Sequence, residues 1–272
     1  MTHRTVTLND DALMPQLGMG TWRLPDAHAP AVVREALDLG YRLIDTAAIY
    51  GNERGVGEGV HGASLEGGGA FVTTKLWNDR QGDVDAALNE SLALLGLDAV
   101  DLYLIHWPRP DDGRFVDAWR AMIRLREAGL TRSIGVSNFM PDHLDAIIGE
   151  TGIAPAVNQI ELHPRFQQRD LRAYHDRHGI VTQSWSPLGQ GGALLAEPAI
   201  AGIAEKLGAS PAQVVIAWHL AHGLSVIPKA GDPVHLAENF AAQDLVLGAD
   251  DLAAIDALDD PDGRIGPDPL VF

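Results

Sequence analysis

The chain has 272 residues, a length typical of a single α/β barrel, and 46% of them are hydrophobic, which is enough to fill a large core. With 20 basic against 37 acidic residues, its net charge of −17 disfavours nucleic acids and anionic membranes as partners, because their phosphates would be repelled. The absence of cysteine excludes disulfides, thiolate zinc sites and a cysteine nucleophile.

The N-terminus begins with a polar stretch rather than an apolar signal segment, and no run of residues is long and apolar enough to cross a bilayer. We therefore expect a soluble, cytoplasmic protein. Next along the chain, Thr5–Leu8 and Ala12–Met14 flank two turn-forming residues, Asn9 and Asp10. This pattern predicts a small β-hairpin that caps the bottom of the fold.

After the hairpin, short β-rich apolar runs alternate with helical patterns, without an intervening linker or low-complexity tract. The alternation predicts parallel strands joined by helices, and hence an α/β fold: a (β/α)8 TIM barrel forming one domain over residues 1–272, with an extra C-terminal helix at Ala249–Ala257. The predicted strands are Gly18–Thr21, Arg42–Asp45, Phe71–Lys75, Leu102–His106, Ser133–Ser137, Val157–Glu161, Val181–Trp185 and Leu224–Ile227. The predicted helices include Pro30–Leu39, Asp83–Leu95, Val116–Glu127, Pro141–Ile148, Asp170–Asp176, Pro211–His222 and Pro233–Ala242.

Polar and aromatic side chains recur at or just beyond the C-terminal ends of these predicted strands. In an α/β barrel that face carries the chemistry. Taken singly, each has an ordinary structural explanation, such as a helix cap, a solvated amine or core packing, but the whole group is hard to explain as packing. The group comprises Asp45, Lys75, His106, Ser137, Asn138, Gln159 and Trp185.

Four side chains near these ends suit proton transfer to a carbonyl oxygen. Tyr50, in the loop after Asp45, supplies a phenol that can act as general acid, although a free phenol with a pKa of about 10 donates poorly at neutral pH. Lys75 supplies a cation that is expected to lower this pKa, and Asp45 can pair with Lys75 and fix its position. His106 can hydrogen-bond a substrate oxygen and orient it.

Three stretches resemble the signatures of the aldo-keto reductase family. Gly40–Ala47 with Tyr50–Glu53 resembles the first signature, Gly135–Phe139 the central one, and Ile227–Lys229 the start of the third. They occur in the family's order and at family-like spacing, so the chain is identified as a member from end to end. Similarity to the bacterial 2,5-diketo-D-gluconic acid reductase branch rests on Thr74–Asp79, Asn158–Pro164 and Ser184–Gly191.

The resemblance implies an oxidoreductase that reduces an aldehyde or ketone to the alcohol by hydride transfer from NAD(P)H. The substrate is expected to be a keto sugar acid or one of a broader set of small carbonyls, bound without metal by a monomeric protein. The residues that match the family's catalytic tetrad, with the phenol as general acid, are Tyr50, Asp45, Lys75 and His106. The residues that match walls of the substrate pocket are Trp22, Ile49, Trp77 and Trp107.

The resemblance also implies which residues bind the cofactor. Ser137, Asn138 and Gln159 match residues that hydrogen-bond the nicotinamide carboxamide, and Trp185 matches an aromatic residue that stacks on the nicotinamide ring. The other matching contacts, along the rest of the dinucleotide, are Gly20, Thr21, Ser186, Leu188, Gly189, Lys229, His235, Glu238 and Asn239.

The third signature departs from the family pattern where a 2′-phosphate would bind. Ala230 stands where many relatives have serine, and His235 stands where arginine is usual. Arginine grips a phosphate with two parallel bonds, whereas a mostly neutral histidine offers at most one, and Asp232 adds a negative charge nearby. Lys229 remains, so NADPH is the expected cofactor, with NADH accepted more readily than in an average relative.

Other motifs and functional classes compete with this interpretation. Gly55–Gly59 lacks a dinucleotide-binding fingerprint and is interpreted as close helix packing. The pairs His175/His178 and His219/His222 have metal-like spacing, but packed or solvated imidazoles are the favoured interpretation. A cofactor-bound regulatory subunit of a membrane channel and a cofactor-free barrel hydrolase or isomerase stay open as alternatives. Substrate choice is expected to depend on three segments at the barrel mouth: Pro108–Arg114, Gly189–Glu197 and Arg264–Phe272. The C-terminal segment, Arg264–Phe272, could fold over the pocket or extend freely into solvent.

Overall fold

The computed structural model describes residues 4–63 and 69–272. The polar N-terminal stretch considered above lies partly outside these ranges. No helix within the described residues is both long and apolar enough to cross a membrane.

The N-terminal hairpin is formed by strands β1 (Thr5–Thr7) and β2 (Leu13–Pro15), which pair antiparallel. Two buried side chains, Leu8 and Met14, pack against residues of the barrel interior such as Leu102. Burying these apolar side chains removes them from water and stabilises the closed end of the barrel. The predicted hairpin is confirmed.

Eight further strands form one parallel sheet in which each strand pairs with the next along the chain. The sheet closes on itself because Leu17 pairs with Val226 and Gly20 pairs with Lys229. A 3.2 Å hydrogen bond from Gly20 N to Pro228 O holds this seam. The predicted TIM barrel is confirmed. The strands are β3 (Met19–Gly20), β4 (Leu43–Asp45), β5 (Phe71–Leu76), β6 (Val100–Ile105), β7 (Thr131–Ser137), β8 (Val157–Glu161), β9 (Val181–Trp185) and β10 (Ser225–Val226).

Helices follow the barrel strands and bury their apolar faces in the main core, where Trp119 and Trp218 are the largest fully buried side chains. In the described part of the chain they are α1 (Ala29–Leu39), α2 (Glu53–His61), α3 (Val84–Leu95), α4 (Phe115–Glu127), α5 (Pro141–Thr151), α6 (Arg169–His178), α7 (Pro198–Leu207), α8 (Pro211–Ala221), α9 (Pro233–Ala241) and α10 (Ala249–Asp256). The extra C-terminal helix is α10. Helix α7 lies outside the predicted segments.

The glycines of α2 allow close packing, as expected for Gly55–Gly59. A Cβ atom on Gly57 would lie 2.2 Å from the carbonyl oxygen of Leu95, at the end of α3. A Cβ atom on Gly55 would lie 2.2 Å from the carbonyl oxygen of Asp26. These contacts are with neighbouring helical segments, so the glycines let α2 approach the rest of the helical layer.

Candidate active site

The predicted site residues converge at the C-terminal ends of the barrel strands. Asp45 ends β4, His106 directly follows β6, Ser137 ends β7 and Trp185 ends β9, while Lys75 lies one residue before the end of β5. Because parallel strands present these ends on one face, the structure gathers the side chains at one mouth of the barrel.

Asp45 and Lys75 form a buried ion pair. Lys75 Nζ lies 2.5 Å from Asp45 Oδ1 and donates a further hydrogen bond of 2.8 Å to Thr46 O. Burial raises the pKa of Asp45, against the opposing effects of Lys75 and of a hydrogen bond from Gln159. Burial lowers the pKa of Lys75, and Asp45 opposes that shift. Each charge therefore offsets the desolvation of the other.

The loop that carries Tyr50 is fixed by Asn52, which is fully buried. Thr46 Oγ1 donates to Asn52 Oδ1 at 2.8 Å, and Asn52 Nδ2 donates to the carbonyl oxygens of Thr21 and Leu24, both at 2.9 Å. A side-chain amide thus ties the loop after β4 to the loop after β3, and the Tyr50 ring is held against the barrel mouth.

The half-buried Tyr50 ring lies over the ion pair, with Lys75 Nζ 5.1 Å from its centroid. Burial raises the pKa of the Tyr50 phenol well above 10, and the carboxylate of Asp45 raises it further. The expectation that Lys75 would lower this pKa is therefore wrong for the protein alone. Desolvation outweighs the cation, whose field is largely offset by Asp45. The phenol stays protonated.

His106 faces two aromatic rings edge-on, with centroid distances of 5.8 Å to Tyr50 and 5.1 Å to Trp77. Burial lowers the pKa of His106 well below 6.5, and the nearby charge of Lys75 lowers it further. His106 Nδ1 is buried and has no hydrogen-bond partner among the described residues. The imidazole is therefore neutral and can donate one hydrogen bond toward the mouth of the barrel.

Four residues on adjacent strand ends form a hydrogen-bonded cluster beside His106. Ser137 Oγ donates to Gln159 O at 2.7 Å, and Asn138, with a φ of +64°, donates from Nδ2 to His106 O at 3.0 Å. Trp185 Nε1 donates to Asn138 Oδ1 at 2.8 Å. The half-buried indole is therefore held in a fixed plane beside the tetrad.

Gln159 joins this cluster to the ion pair. Its Nε2 donates to Asp45 Oδ2 at 2.8 Å and to Gln183 Oε1 at 2.7 Å, and Gln183 Nε2 donates to Ser225 Oγ at 3.0 Å. The sequence did not single out Gln183, because a glutamine in the middle of a strand carries no motif. Polar residues also stand on both sides of it in β9, at Thr182 and Ser184, so it does not stand out within the strand.

Two backbone segments border this mouth. Thr21 donates from both N and Oγ1 to Asp45 O, each at 3.0 Å. After β9 the chain turns sharply, with φ of +48° at Ser186 and +58° at Gly189, and Gly189 N donates to Ser186 O at 2.9 Å. Leu188, within this turn, is half-buried.

The segment expected to hold the adenosine end follows β10. Lys229 is exposed, and Asp232 caps the N-terminus of α9 by accepting a 3.1 Å bond from His235 N. The His235 ring also contacts the Asp232 carboxylate directly. Along α9, Glu238 is half-buried and Asn239 is buried. The structure thus pairs the histidine that replaces the usual arginine with an acidic neighbour.

The four expected pocket walls differ in exposure. Trp107 is buried and lies 4.6 Å from the ring of Phe272, centroid to centroid. Trp22 is 40% exposed, with the guanidinium of Arg23 4.1 Å from its ring centroid, and Ile49 is 48% exposed. Trp77, against His106, is half-buried. Trp22 and Ile49 therefore leave apolar surface free at the rim.

The C-terminal tail folds back onto the mouth and is anchored by Glu161, whose role the sequence did not predict. The buried Glu161 carboxylate accepts backbone N–H bonds of 2.6 Å from Ile265 and 2.8 Å from Gly266. A Cβ atom on Gly266 would lie 2.4 Å from the Trp185 ring, so the tail backbone lies directly against that indole. With Phe272 on Trp107, the tail is folded over rather than loose.

Of the paired histidines, His175 and His219 are buried, whereas His222 is half-buried and His178 is exposed. His175 contacts Asn158 Nδ2 at 2.9 Å and Thr182 Oγ1 at 2.8 Å, and His222 contacts the carboxylate of Asp256 at 2.9 Å. Within residues 4–63 and 69–272, no three or more histidine, aspartate or glutamate side chains are arranged to hold a metal ion.

Known proteins share this chain's sequence and fold over nearly its whole length. The family model described as "Aldo/keto reductase family" matches residues 16–260. The methylglyoxal reductases DkgA of Yersinia pestis and Salmonella typhimurium are 51% and 50% identical, each over 98% of this chain and over 96% and 97% of their own lengths. A crystal structure of a Gox0644 variant in complex with NADPH superposes with a TM-score of 0.95 at 48% identity, covering 99% of this chain and 98% of that one. The chain belongs to the aldo/keto reductase family.

Proposed function

We propose that this oxidoreductase reduces small aldehydes and ketones, with methylglyoxal and keto sugar acids as the substrate classes, by hydride transfer from a nicotinamide dinucleotide. The observation that carries the proposal is the grouping of a protonated phenol, a neutral imidazole and a buried Lys75–Asp45 pair at one mouth of the barrel. The names of the DkgA relatives support methylglyoxal as a substrate.

Residues at the mouth fit a nicotinamide dinucleotide. No donor among the described residues reaches Gln159 Oε1, which leaves it free to accept a bond from a carboxamide N–H. The half-buried Trp185 indole offers a flat apolar surface for stacking. Ser186, Leu188 and Gly189 would border the pyrophosphate, and the bound cofactor would supply the hydride.

Tyr50 is proposed as the general acid. As hydride reaches the carbonyl carbon, the oxygen gains negative charge and becomes more basic than a phenolate. The Tyr50 proton can then move to that oxygen although burial raises its pKa, and Lys75, 5.1 Å from the ring centroid, stabilises the phenolate that remains. The neutral His106 donates a hydrogen bond to the same oxygen and orients it.

The Asp232–His235 contact supports relaxed cofactor preference. A carboxylate beside the expected 2′-phosphate position repels that phosphate, whereas it can accept hydrogen bonds from the ribose hydroxyls of NADH. Exposed Lys229 is the cation left to attract a phosphate in this stretch. We therefore propose that NADPH is used and that NADH is accepted more readily than in relatives with arginine in place of His235.

Initial rates of cofactor oxidation with methylglyoxal and with 2,5-diketo-gluconate, each with NADPH and NADH, test the function. Turnover with either cofactor supports it. If the protein binds a dinucleotide but turns over none of these carbonyls or a generic aldehyde, the reductase proposal fails and a regulatory role gains support. If it binds no dinucleotide, a cofactor-free barrel enzyme is favoured.

His235→Arg tests the cofactor preference separately. The variant is expected to raise the NADPH-to-NADH ratio of kcat/KM about tenfold, because a guanidinium restores a bidentate phosphate ligand. His28→Arg, at another exposed histidine, adds the same charge elsewhere and should leave the ratio unchanged. A wild-type enzyme with a strong NADPH preference that persists at alkaline pH would contradict relaxed specificity.

A further inference from the structure

A chain of five buried polar side chains, linked by hydrogen bonds, leads from the proposed active site across the barrel interior. It runs from Lys75 through Asp45, Gln159 and Gln183 to Ser225, with contacts of 2.5, 2.8, 2.7 and 3.0 Å. All five side chains are at most 2% exposed. Gln159, Gln183 and Ser225 lie opposite one another in register on β8, β9 and β10, so backbone pairing holds the three at one level.

Counting donors fixes the direction of this chain. An ionised Asp45 can only accept, so the Gln159 group that faces Oδ2 must be the amide nitrogen. The second N–H of that nitrogen needs its own acceptor, which Gln183 Oε1 supplies at 2.7 Å. Gln183 must then turn its own nitrogen toward Ser225 Oγ. With both N–H groups of Gln159 in use, its Oε1 is left to face the mouth.

We propose that Gln183 is a positioning residue for the nicotinamide site: by accepting the second N–H of Gln159, it keeps Gln159 Oε1 presented to the carboxamide N–H of the cofactor. The inference rests on the proposed function and extends it to a residue that touches neither cofactor nor substrate. A buried donor without an acceptor is costly. Without Gln183, the Gln159 amide therefore rotates to find another acceptor for its second N–H, and its Oε1 no longer faces the carboxamide of the cofactor.

Gln183→Met tests the proposal, since methionine has similar length and no hydrogen-bonding amide. The readout is the dissociation constant of the oxidised cofactor, measured by quenching of tryptophan fluorescence. It is compared with the constant of the 3-acetylpyridine analogue, which keeps the ring carbonyl but has a methyl group in place of the amide nitrogen. Because the analogue has no N–H to offer Gln159 Oε1, the ratio of the two constants isolates this one contact.

The wild-type protein is expected to bind the natural cofactor about five- to tenfold more tightly than the analogue. In Gln183→Met this preference should fall to within about twofold. Gln183→Glu keeps an acceptor oxygen toward Gln159 and should restore most of the preference. Ser184→Ala is the matched control on the same strand, because Ser184 Oγ is buried without a partner among the described residues, and it should retain the wild-type preference.

Thermal denaturation separates positioning from stability. If Gln183→Met lowers the Tm but keeps the full preference, Gln183 serves packing alone and the proposal is overturned. It is also overturned if the wild-type protein binds the cofactor without discriminating against the analogue. Failure of the proposed function is a different result, in which the wild-type protein binds neither dinucleotide, and it removes the basis of this inference as well.

Discussion

Burial sets the protonation state of the individual groups at the barrel mouth. It raises the pKa of the Tyr50 phenol and lowers the pKa of the His106 imidazole, so both rings are uncharged at neutral pH. Lys75 has Asp45 as its ion-pair partner at 2.5 Å. A neutral carbonyl group would therefore face neutral hydrogen-bond donors, and the buried cation of Lys75 can stabilise the negative charge that develops during reaction.

Tyr50→Phe is expected to lower kcat by about 10²- to 10⁴-fold, because it removes the proposed proton donor and leaves the ring in place. The dissociation constant of the cofactor should stay within about twofold of the wild-type value, since the hydroxyl acts on the substrate. Stopped-flow single turnovers and fluorescence titration measure the two quantities. A variant that kept the wild-type kcat would remove Tyr50 from the role of acid.

The sequence predicted the four tetrad candidates because they are chemically distinctive and stand near strand ends, and the structure gathers them at one mouth of the barrel. The direction of the Tyr50 pKa shift could not be predicted in the same way, since it depends on how far desolvation exceeds the field of a cation that Asp45 already offsets. The roles of Gln183 and Glu161 could not be predicted from the sequence for another reason. Gln183 bonds to side chains 24 and 42 residues away in the chain, and the tail N–H groups that Glu161 holds are 104 and 105 residues away, so no local pattern marks them.

At the scale of elements, the C-terminal tail is a wall of the mouth rather than a free end. Glu161, at the end of β8, holds the N–H groups of Ile265 and Gly266, and Phe272 lies on Trp107. A carboxylate that accepts backbone N–H bonds forms charge-assisted contacts stronger than those of a neutral acceptor. The tail thus has one buried anchor near its start and one aromatic contact at its end.

Glu161→Gln should loosen this tail, because an amide has one acceptor oxygen where the carboxylate offers two. We expect the amides of Ile265 and Gly266 to exchange with solvent about tenfold faster, and the substrate KM to rise a few-fold with little change in kcat. Hydrogen exchange followed by mass spectrometry measures the first effect. Glu150→Gln, on the exposed side of α5, is the control. Unchanged protection of the tail in Glu161→Gln would show that the aromatic contact alone holds it.

Most elements could be predicted from the sequence because turn residues and apolar periodicity mark their limits. Strands β8 and β9 have the predicted bounds, and α5 runs three residues beyond its predicted end to Thr151. Helix α7 was missed because a glycine-rich stretch precedes it and only Ile200, Ile203 and Ala204 of its residues are buried. The fold of the tail could not be predicted, since contacts with β8 and Trp107 determine it.

At the scale of the whole molecule, buried histidines link stability to pH, and His175 and His219 are two of them. Burial lowers the pKa of His175 and of His219 to about 3, against an ordinary value of 6.5. Near pH 6, these two histidines are therefore partly protonated in the unfolded chain but neutral in the folded protein. The two histidines make their full contribution to the free energy of unfolding above about pH 6.5. As the pH falls below that value, the free energy of unfolding decreases by up to about 1.4 kcal/mol per pH unit for each histidine. Buried carboxyl groups with raised pKa, such as Asp45 and Glu53, act in the opposite direction.

His175→Gln should therefore flatten the loss of stability between about pH 7 and pH 5, because glutamine does not titrate there. Urea denaturation at several pH values, taken as the difference between variant and wild type, isolates the histidine from the carboxyl groups. His28→Gln, at an exposed histidine away from α6, is the control. Equal slopes for His175→Gln and wild type would mean that His175 accepts a proton in the folded state.

The seam of the barrel joins Gly20, on its first strand, to Lys229, just beyond its last. Both residues belong to the proposed cofactor site, so closing the barrel and completing that site are the same event. During synthesis, a ribosome must therefore release nearly the whole chain before a dinucleotide can be held. A fragment that ends before β10 would then oxidise no cofactor. Measured turnover would therefore come only from chains that extend past the seam.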